Sequence, residues 1–382
     1  MGSLYINDFL VKFKGEKTKD FLLMLFIRKN KNKGGESKRK SFGFPYSLRE
    51  LINWLKRYTF GPKKRNEGNI KYIPKNHLLN EITPKYTISF IGDIMDLSYR
   101  DLIIDENVKN FVRGSDFLIG NFEAIITSEK KINIMTKRHK PQIMDALASL
   151  FLPKKTYLSI ANNHTGDYDL KSLSNSINQL KERGFNIFGT TTNPFVDLNE
   201  EIRVITGTQW SNQPCNYSSK LRESEHYLKQ DSFNILFPHW GYELELYPRI
   251  GIINQGRDLL SKFDALIGHH THCPQPISFF NIKNLNKLIA FSLGDFCFGW
   301  DLRKKKNEML SYGIALKVEI GVNPQGQLIV GNIDWTFLKS RPFSEKEFIV
   351  EIVNDISQIY RLCYELKSYS LFVFFIIFCL LV

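Results

Sequence analysis

The sequence predicts an α/β fold, and three observations carry that reading. From residue 86 onward, short apolar runs alternate with segments of helical spacing. Polar residues able to bind metal stand just past the C-terminal ends of those runs. Near the end, 314–320 and 328–335 alternate apolar and polar residues in the manner of a closing antiparallel pair.

Taken in order, 87–91 reads as a strand ending at Gly92-Asp93, and 117–119 as a second ending at Gly120-Asn121. The run 157–160 ends at Ala161-Asn162-Asn163-His164, and helical spacing follows at Leu170, Leu173, Ile177 and Leu180. Residues 187–188 and 203–206 read as further strands. The run 234–237 leads into Pro238-His239-Trp240-Gly241, and 265–267 into Gly268-His269-His270-Thr271-His272. The run 288–292 leads into Leu293-Gly294-Asp295. In α/β architecture the strand ends converge at one edge, where loops reach inward and build sites. No internal repeat is evident.

Upstream of this pattern, residues 1–85 read as a basic N-terminal appendage. They hold 20 Lys+Arg against 7 Asp+Glu, while the remainder of the 382-residue chain carries 32 of each. The net charge of +13 therefore belongs to the appendage alone and does not make the central domain a nucleic-acid binder. Residues 29–40 read as a solvated basic loop, and 48–58 as a helix stopped by Gly61-Pro62. The charges fit either a solvated surface or contact with anionic lipid or polymer.

Five scattered cysteines (Cys215, Cys273, Cys297, Cys363, Cys379) have no CxxC spacing, which argues against a disulfide framework and a thiolate zinc site. The apolar stretch 21–27 is short and lacks a cleavage site, so no signal peptide is read. An unbroken apolar run occupies 371–382, shorter than the roughly 20 residues of a full span. It fits a short tail anchor, a truncated span, or a buried final element. The expected localisation is membrane-associated through this tail or cytoplasmic. The expected domains are 1–85, a central 86–345, and a C-terminal helix with apolar tail at 346–382.

Asp93, Glu123, Asn163, His239, His270 and His272 combine carboxylate, amide and imidazole donors, a set that suits divalent metals. A pair of cations needs a bridging group plus terminal ligands, and His270 and His272 at i, i+2 can reach different ions. An imidazole beside them, such as His164, can protonate a leaving group. Singly, each piece has an ordinary reading. Gly-Asp after a strand is usually a turn, His239 fits a hydrogen-bonded core histidine, and Asn162-Asn163 fits an Asx turn or cap. Three of only eight histidines within four residues, in step with the other strand ends, make the joint pattern a site.

The segments Gly92-Asp93-Ile94-Met95, Gly120-Asn121-Phe122-Glu123, Ala161-Asn162-Asn163-His164 with Asp167, and His239-Trp240-Gly241-Tyr242-Glu243 stand in order. Gly268-His269-His270-Thr271-His272 with Gln275-Pro276, and Ser292-Leu293-Gly294-Asp295-Phe296, follow them. Over roughly residues 87–335 this series resembles the CapA/PgsA-like family of poly-gamma-glutamate capsule synthesis, within the calcineurin-like metallophosphoesterases. The resemblance implies a four-layer α/β/β/α sandwich and two divalent metal ions (Mn, Fe, Zn or Mg). It implies Asp93, Asn163, His239, His270 and His272 as ligands, His164 as the catalytic acid, and substrate contacts from Asn121, Asn162, His269 and Glu243. Phosphoesterases place an Asp after the second motif's Gly, where this chain has Asn121, so Glu123 is expected to bridge from two residues on. Met95 stands where many phosphoesterases carry a His, and Asp96 and Asp295 stand where Leu and Asn are common, so either aspartate is expected to add or perturb a ligand. Arg100 and Arg249 are clamp candidates or solvated surface arginines.

Two functions follow as expectations. One is a metal-dependent phosphoesterase linked to capsule or cell-envelope polymer biosynthesis, with an anionic polymer or phosphate ester as substrate. The other is a non-catalytic assembly or transport factor that binds metal and partners a polymer ligase. Membrane contact is expected only through the tail, and nucleic acid is not an expected partner.

Overall fold

Runs such as Ile235-Leu236-Phe237 and Ala265-Leu266-Ile267 are apolar at successive positions because both of their faces are covered, the signature of buried parallel strands. In the computed structural model they form the centres of two facing sheets. The structure describes residues 46–131, 136–210, 217–299 and 310–354.

In chain order the first elements are α1 (Leu48–Phe60), β1 (His77–Leu78), β2 (Thr83–Ile94), β3 (Asp101–Ile104), α2 (Glu106–Val112) and β4 (Phe117–Phe122). Next come β5 (Ile125–Ile126), β6 (Arg138–His139), α3 (Ile143–Leu150), β7 (Thr156–Ser159), α4 (Leu170–Glu182) and β8 (Asn186–Phe188). The second half holds β9 (Phe195–Asp197), β10 (Ile202–Thr208), β11 (Phe233–His239), α5 (Ile250–Leu260), β12 (Ala265–Ile267), β13 (Ile277–Ile282) and β14 (Leu285–Ala290). The last described elements are β15 (Asp295–Cys297), β16 (Tyr312–Val322), β17 (Leu328–Pro342) and β18 (Glu347–Val353).

The larger sheet runs β3-β18-β17-β16-β2-β4-β7-β8, with β1 on β17 and β15 on β2. Its β2-β4-β7-β8 part is parallel, and β16, β17 and β18 are antiparallel. The smaller sheet runs β13-β14-β12-β11-β10-β9, parallel from β14 to β10 with antiparallel edges.

Three packed cores define the layers. Ile88, Phe90 and Ile119 of the larger sheet meet Val204, Ile235, Phe237 and Ile267 of the smaller one. The larger sheet's other face, with Ile91, Leu118 and Leu158, packs on Val108 and Val112 of α2, Leu147 of α3 and Leu173 and Leu180 of α4. The smaller sheet's outer face, with Ile205, Leu236 and Leu266, packs on Ile252, Leu259 and Leu260 of α5. The order is helix, sheet, sheet, helix: the four-layer α/β/β/α sandwich. Asp169 caps α4 by accepting from Ser172 N, while Leu170, counted into its apolar stripe from sequence, is exposed.

Gly92 shows why the first motif needs glycine. A Cβ there would lie 1.9 Å from the Gly294 carbonyl oxygen, so β2 and the turn before β15 approach as only glycine allows.

The domain limits differ from those read in sequence. The larger sheet runs past 345, because β18 adds antiparallel to β17 and parallel to β3 where a helix was expected. Its alternating Phe348 and Val350 are fully buried, a period of two that suits a strand. Upstream of 86, α1 packs on the sandwich, Ile73 and Leu79 enter the core between the sheets, and β1 pairs with β17. The stretches 21–27, 29–40 and 371–382 lie outside the described residues. Among the described residues, no helix is long and apolar enough to cross a membrane.

Candidate metal centre

Register brings the site together. On the larger sheet Asp93 lies opposite Asn121 on one side and Asp295 on the other, and Asn121 lies opposite Ser159. On the smaller sheet, β11 delivers His239, and His239 bridges to His269 in the loop after β12. The C-terminal ends of both parallel regions therefore meet across the space between the sheets.

Asp93, Asn121, Glu123, His239, His269, His270 and Asp295 are wholly buried, and Asn162, Asn163, His164 and His272 nearly so. Among the described residues, three groups of donors each lie close enough to hold one ion: Asp93, His239 and His269; Glu123, His239 and His270; and Asp93, His272 and Asp295. Five of the six expected ligands fall in these groups. Asn163 joins them through its Oδ1, 2.8 Å from His239 Nε2.

Asn121 donates to Asp93 Oδ1 at 2.7 Å and to Glu123 Oε2 at 3.3 Å, and its own Oδ1 accepts from Asn162 at 3.2 Å. His269 Nδ1 lies 2.9 Å from His239 Nδ1 and 3.2 Å from Asp93 Oδ1. Sequence reading placed His269 among substrate contacts; the structure sets it inside a donor group. Asp295, which departs from the family pattern and is expected to add or perturb a ligand, stands in a donor group, its Oδ1 2.9 Å from His272 Nδ1. His164 Nδ1 lies 2.7 Å from Asp167 Oδ2, which also accepts from Lys137 N at 2.8 Å.

The backbone is strained here. His270 (φ 102°) and His272 (φ 54°) both sit at positive φ, a region a non-glycine residue occupies only when its surroundings hold it. Asp93 Oδ2 supplies part of that hold by accepting from His270 N at 2.9 Å.

The electrostatics fit cations. Burial opposes charge on Asp93, yet the hydrogen bond and charge of His269, the charge of His272 and the Asn121 amide hold its carboxyl down at about 2. Glu123 is driven well above the ordinary range by burial and by the Asp93, Asp295 and Glu243 carboxylates. Burial and the neighbouring histidines push His239 far below its ordinary value, and burial first of all takes His270 down to about 3. Burial opposes charge on His272 too, yet the Asp295, Glu243 and Asp93 carboxylates raise it to about 9, so carboxylates crowded out of water draw positive charge into the site. Glu123 Oε1, His269 Nε2, His270 Nδ1 and Asp295 Oδ2 are buried without a hydrogen-bond partner, which a native fold tolerates where something binds. The donor set thus fits divalent metal.

The residues standing behind the donors were not legible from sequence. Tyr46 Oη lies 3.0 Å from His270 Nε2 and donates to Glu243 Oε1 at 3.2 Å, and Trp54 Nε1 donates to Glu243 Oε2 at 2.6 Å. Glu243, expected to touch substrate, thus faces α1. Arg249 is no solvated arginine: it binds Glu50 and Glu245, both of which also pair with Arg57. Arg100 packs its guanidinium over the rings of Tyr99 and Phe348. The inward face of α1 is Glu50, Trp54 and Arg57, whereas Leu51, Ile52 and Leu55, which suggested the helix, are half-buried. The spacing of those three buried residues, i, i+4, i+7, was the available signal. Lys137 is also buried, its ammonium 5.1 Å from the Phe298 ring centre, and burial lowers its pKa.

A four-layer sandwich with a buried histidine–carboxylate centre at the strand ends defines a protein of the metallophosphoesterase superfamily. Residues 76–209 and 199–300 match the family model of the bacterial capsule synthesis protein PGA_cap, and the chain belongs to that family. Among curated relatives, the PGA biosynthesis protein CapA of Bacillus subtilis (strain 168) is 22% identical over 267 residues, covering 59% of this chain and 66% of the relative. The capsule biosynthesis protein CapA of Bacillus anthracis is 25% identical over 282 residues, covering 63% and 66%. The chain thus spans slightly less than two thirds of both relatives. Among solved structures, a hypothetical protein from Thermus thermophilus aligns at TM-score 0.41 and 12% identity, covering 66% of this chain and 99% of that one. A candidate 5'-nucleotidase from Staphylococcus aureus, in complex with alpha-ketoglutarate, aligns at TM-score 0.40 and 14% identity, covering 74% and 58%.

Proposed function

We propose that this chain is a metal-dependent phosphoesterase serving capsule or cell-envelope polymer biosynthesis, with a phosphate ester or anionic polymer as substrate. The observation that carries the reading is the set of interlocked donor groups with the His164–Asp167 pair nearby. Asp93 and His239 each belong to two of the groups, as adjacent ions sharing ligands require, so two divalent cations (Mn, Fe, Zn or Mg) are proposed. Asp93, His272 and Asp295 would hold one, Glu123, Asn163, His239 and His270 the other, and the Asp93–His239–His269 group would stand between them. Such cations polarise a phosphoryl oxygen and activate water toward phosphorus.

The remaining chemistry falls to the chain. Asp167 engages His164 Nδ1 and fixes the ring, which leaves Nε2 to pass a proton to the departing oxygen. Asn162 holds the turn, its Oδ1 accepting from His164 N at 3.1 Å and its Nδ2 donating to the Phe122 carbonyl at 3.0 Å. The half-buried Trp210 ring packs against both Tyr242 and His270 and walls one side of the donor groups.

A second reading, a metal-binding assembly or transport factor that partners a polymer ligase, is favoured by one observation. Asn121 stands where phosphoesterases place an Asp, and its amide spends itself donating to Asp93 and Glu123, whereas a carboxylate there would bind a cation more firmly. Membrane contact through residues 371–382 belongs to either proposal.

The deciding experiment assays the purified chain with each metal against a generic phosphomonoester and phosphodiester, beside a His164→Ala variant. Metal-dependent turnover lost in the variant supports the hydrolase. Metal binding without turnover of either ester leaves the assembly role as the better account.

A further inference from the structure

The hydrogen bonds around His270 assign its tautomer. An indole N–H only donates, and a carboxylate accepting from Trp54 on Oε2 accepts on Oε1 as well. The single Tyr46 hydroxyl proton goes to Glu243 Oε1, so toward His270 the phenol oxygen is an acceptor. His270 Nε2 must therefore carry the ring hydrogen. Its Nδ1 keeps a lone pair, and Nδ1 is the buried atom without a hydrogen-bond partner. His270 belongs to the donor group with Glu123 and His239, whose ligand atoms lie within 4.8 Å of one another.

We propose that residues 46–57, upstream of the stretch that matches the family, complete the metal centre: Tyr46 is a positioning residue that locks His270 as the Nε2–H tautomer with Nδ1 given to metal. The inference rests on the metal-centre reading above. Trp54 fixes the Glu243 carboxylate that receives the Tyr46 proton, and Arg57 Nε holds the Glu243 backbone carbonyl at 2.7 Å. The Glu50–Arg249–Glu245–Arg57 network then pins α1 in place. The relay runs from imidazole to phenol to carboxylate. Where many metal-binding histidines lean directly on a carboxylate, here a phenol spans the gap. Such outer partners fix ring orientation and raise ligand basicity, and their loss weakens metal binding by about 10–100-fold.

The test titrates the metal-stripped full chain with Mn²⁺ and with Zn²⁺ by calorimetry, for the wild type, Tyr46→Phe and Asp93→Asn. The expected result is about 10–100-fold weaker binding for Tyr46→Phe with unchanged circular dichroism, and no measurable binding for Asp93→Asn. A wild type that binds neither metal brings down the metal centre itself. A wild type that binds while Tyr46→Phe matches it overturns the role of Tyr46 and leaves the centre standing. Should Tyr46→Phe fail to fold, imidazole nitrogen NMR of the metal-free wild type, assigned with His270→Gln, reads the tautomer directly. A hydrogen on Nε2 is expected, and a hydrogen on Nδ1 overturns the proposal.

Discussion

Asp93 Oδ2 accepts a hydrogen bond from the backbone nitrogen of His270 at 2.9 Å, joining the end of β2 to the histidine loop 177 residues later. One carboxylate therefore belongs to two donor groups and also restrains a loop whose His270 and His272 sit at positive φ. Ligand geometry and backbone strain share a single anchor.

Asp93→Asn is predicted to weaken metal binding at least 100-fold, because an amide lacks the charge and replaces an acceptor with a donor. Losing a charged acceptor for His270 N also destabilises the fold by about 1.5–3 kcal/mol. Calorimetric metal titration and hydrogen exchange of residues 268–272 check it. Wild-type affinity with unchanged exchange would remove Asp93 from both roles.

His164→Ala is predicted to lower kcat toward a phosphate ester by about 10²–10⁴-fold while metal content stays at the wild-type level. Asp167→Asn should fall in the same direction by less, since the ring remains but loses its orienting acceptor. Metal analysis beside steady-state rates separates the proton role from ligation. Loss of metal in His164→Ala would make His164 a ligand instead.

His139 gives the fold a pH dependence away from the donor groups. Burial lowers its pKa to about 4, against 6.5 for an exposed imidazole, with Lys131 adding in the same direction and Asp96 and the Ile94 carbonyl opposing. Between these values the unfolded chain binds a proton that the native protein refuses. Stability attributable to His139 is therefore complete above pH 6.5 and declines as pH falls toward 4, by up to about 3 kcal/mol. Urea unfolding at pH 7.5, 6 and 5 should show this decline in the wild type and a flatter one in His139→Phe. Equal slopes would assign the acid sensitivity elsewhere.

Glu50→Gln removes the carboxylate shared by Arg57 and Arg249 beneath α1. Deleting this carboxylate leaves two guanidiniums to share Glu245 alone, so the loss of charged hydrogen bonds is expected to cost about 1.5–3 kcal/mol. Denaturant unfolding measures it, and limited proteolysis should show earlier cleavage near α1. A change below about 0.5 kcal/mol would class the network with weak surface pairs.

The strand–loop pattern was legible from residue 86 onward because parallel strands covered on both faces must be apolar at successive positions, and the polar residues after them, each ordinary alone, recur together at successive strand ends. The expected donors Asp93, Glu123, His239, His270 and His272 all fall in the structure's donor groups for that reason. Sequence alone misplaced the edges. Phe348 and Val350 read as part of a tail until β17 offers them a partner, because a strand's hydrogen bonds are made with another segment. The leucines of α1 announced a helix but not its buried face: Glu50, Trp54 and Arg57 turn inward because their partners Glu243, Glu245 and Arg249 lie almost 200 residues away. His269 and Asp295 gained their place the same way, from Asp93 and His272 beside them. Local periodicity and donor chemistry were written in the chain. Which donors meet, and what holds them, was decided by tertiary structure, since hydrogen bonds and charge pairing depend on distances that only the packed sheets set.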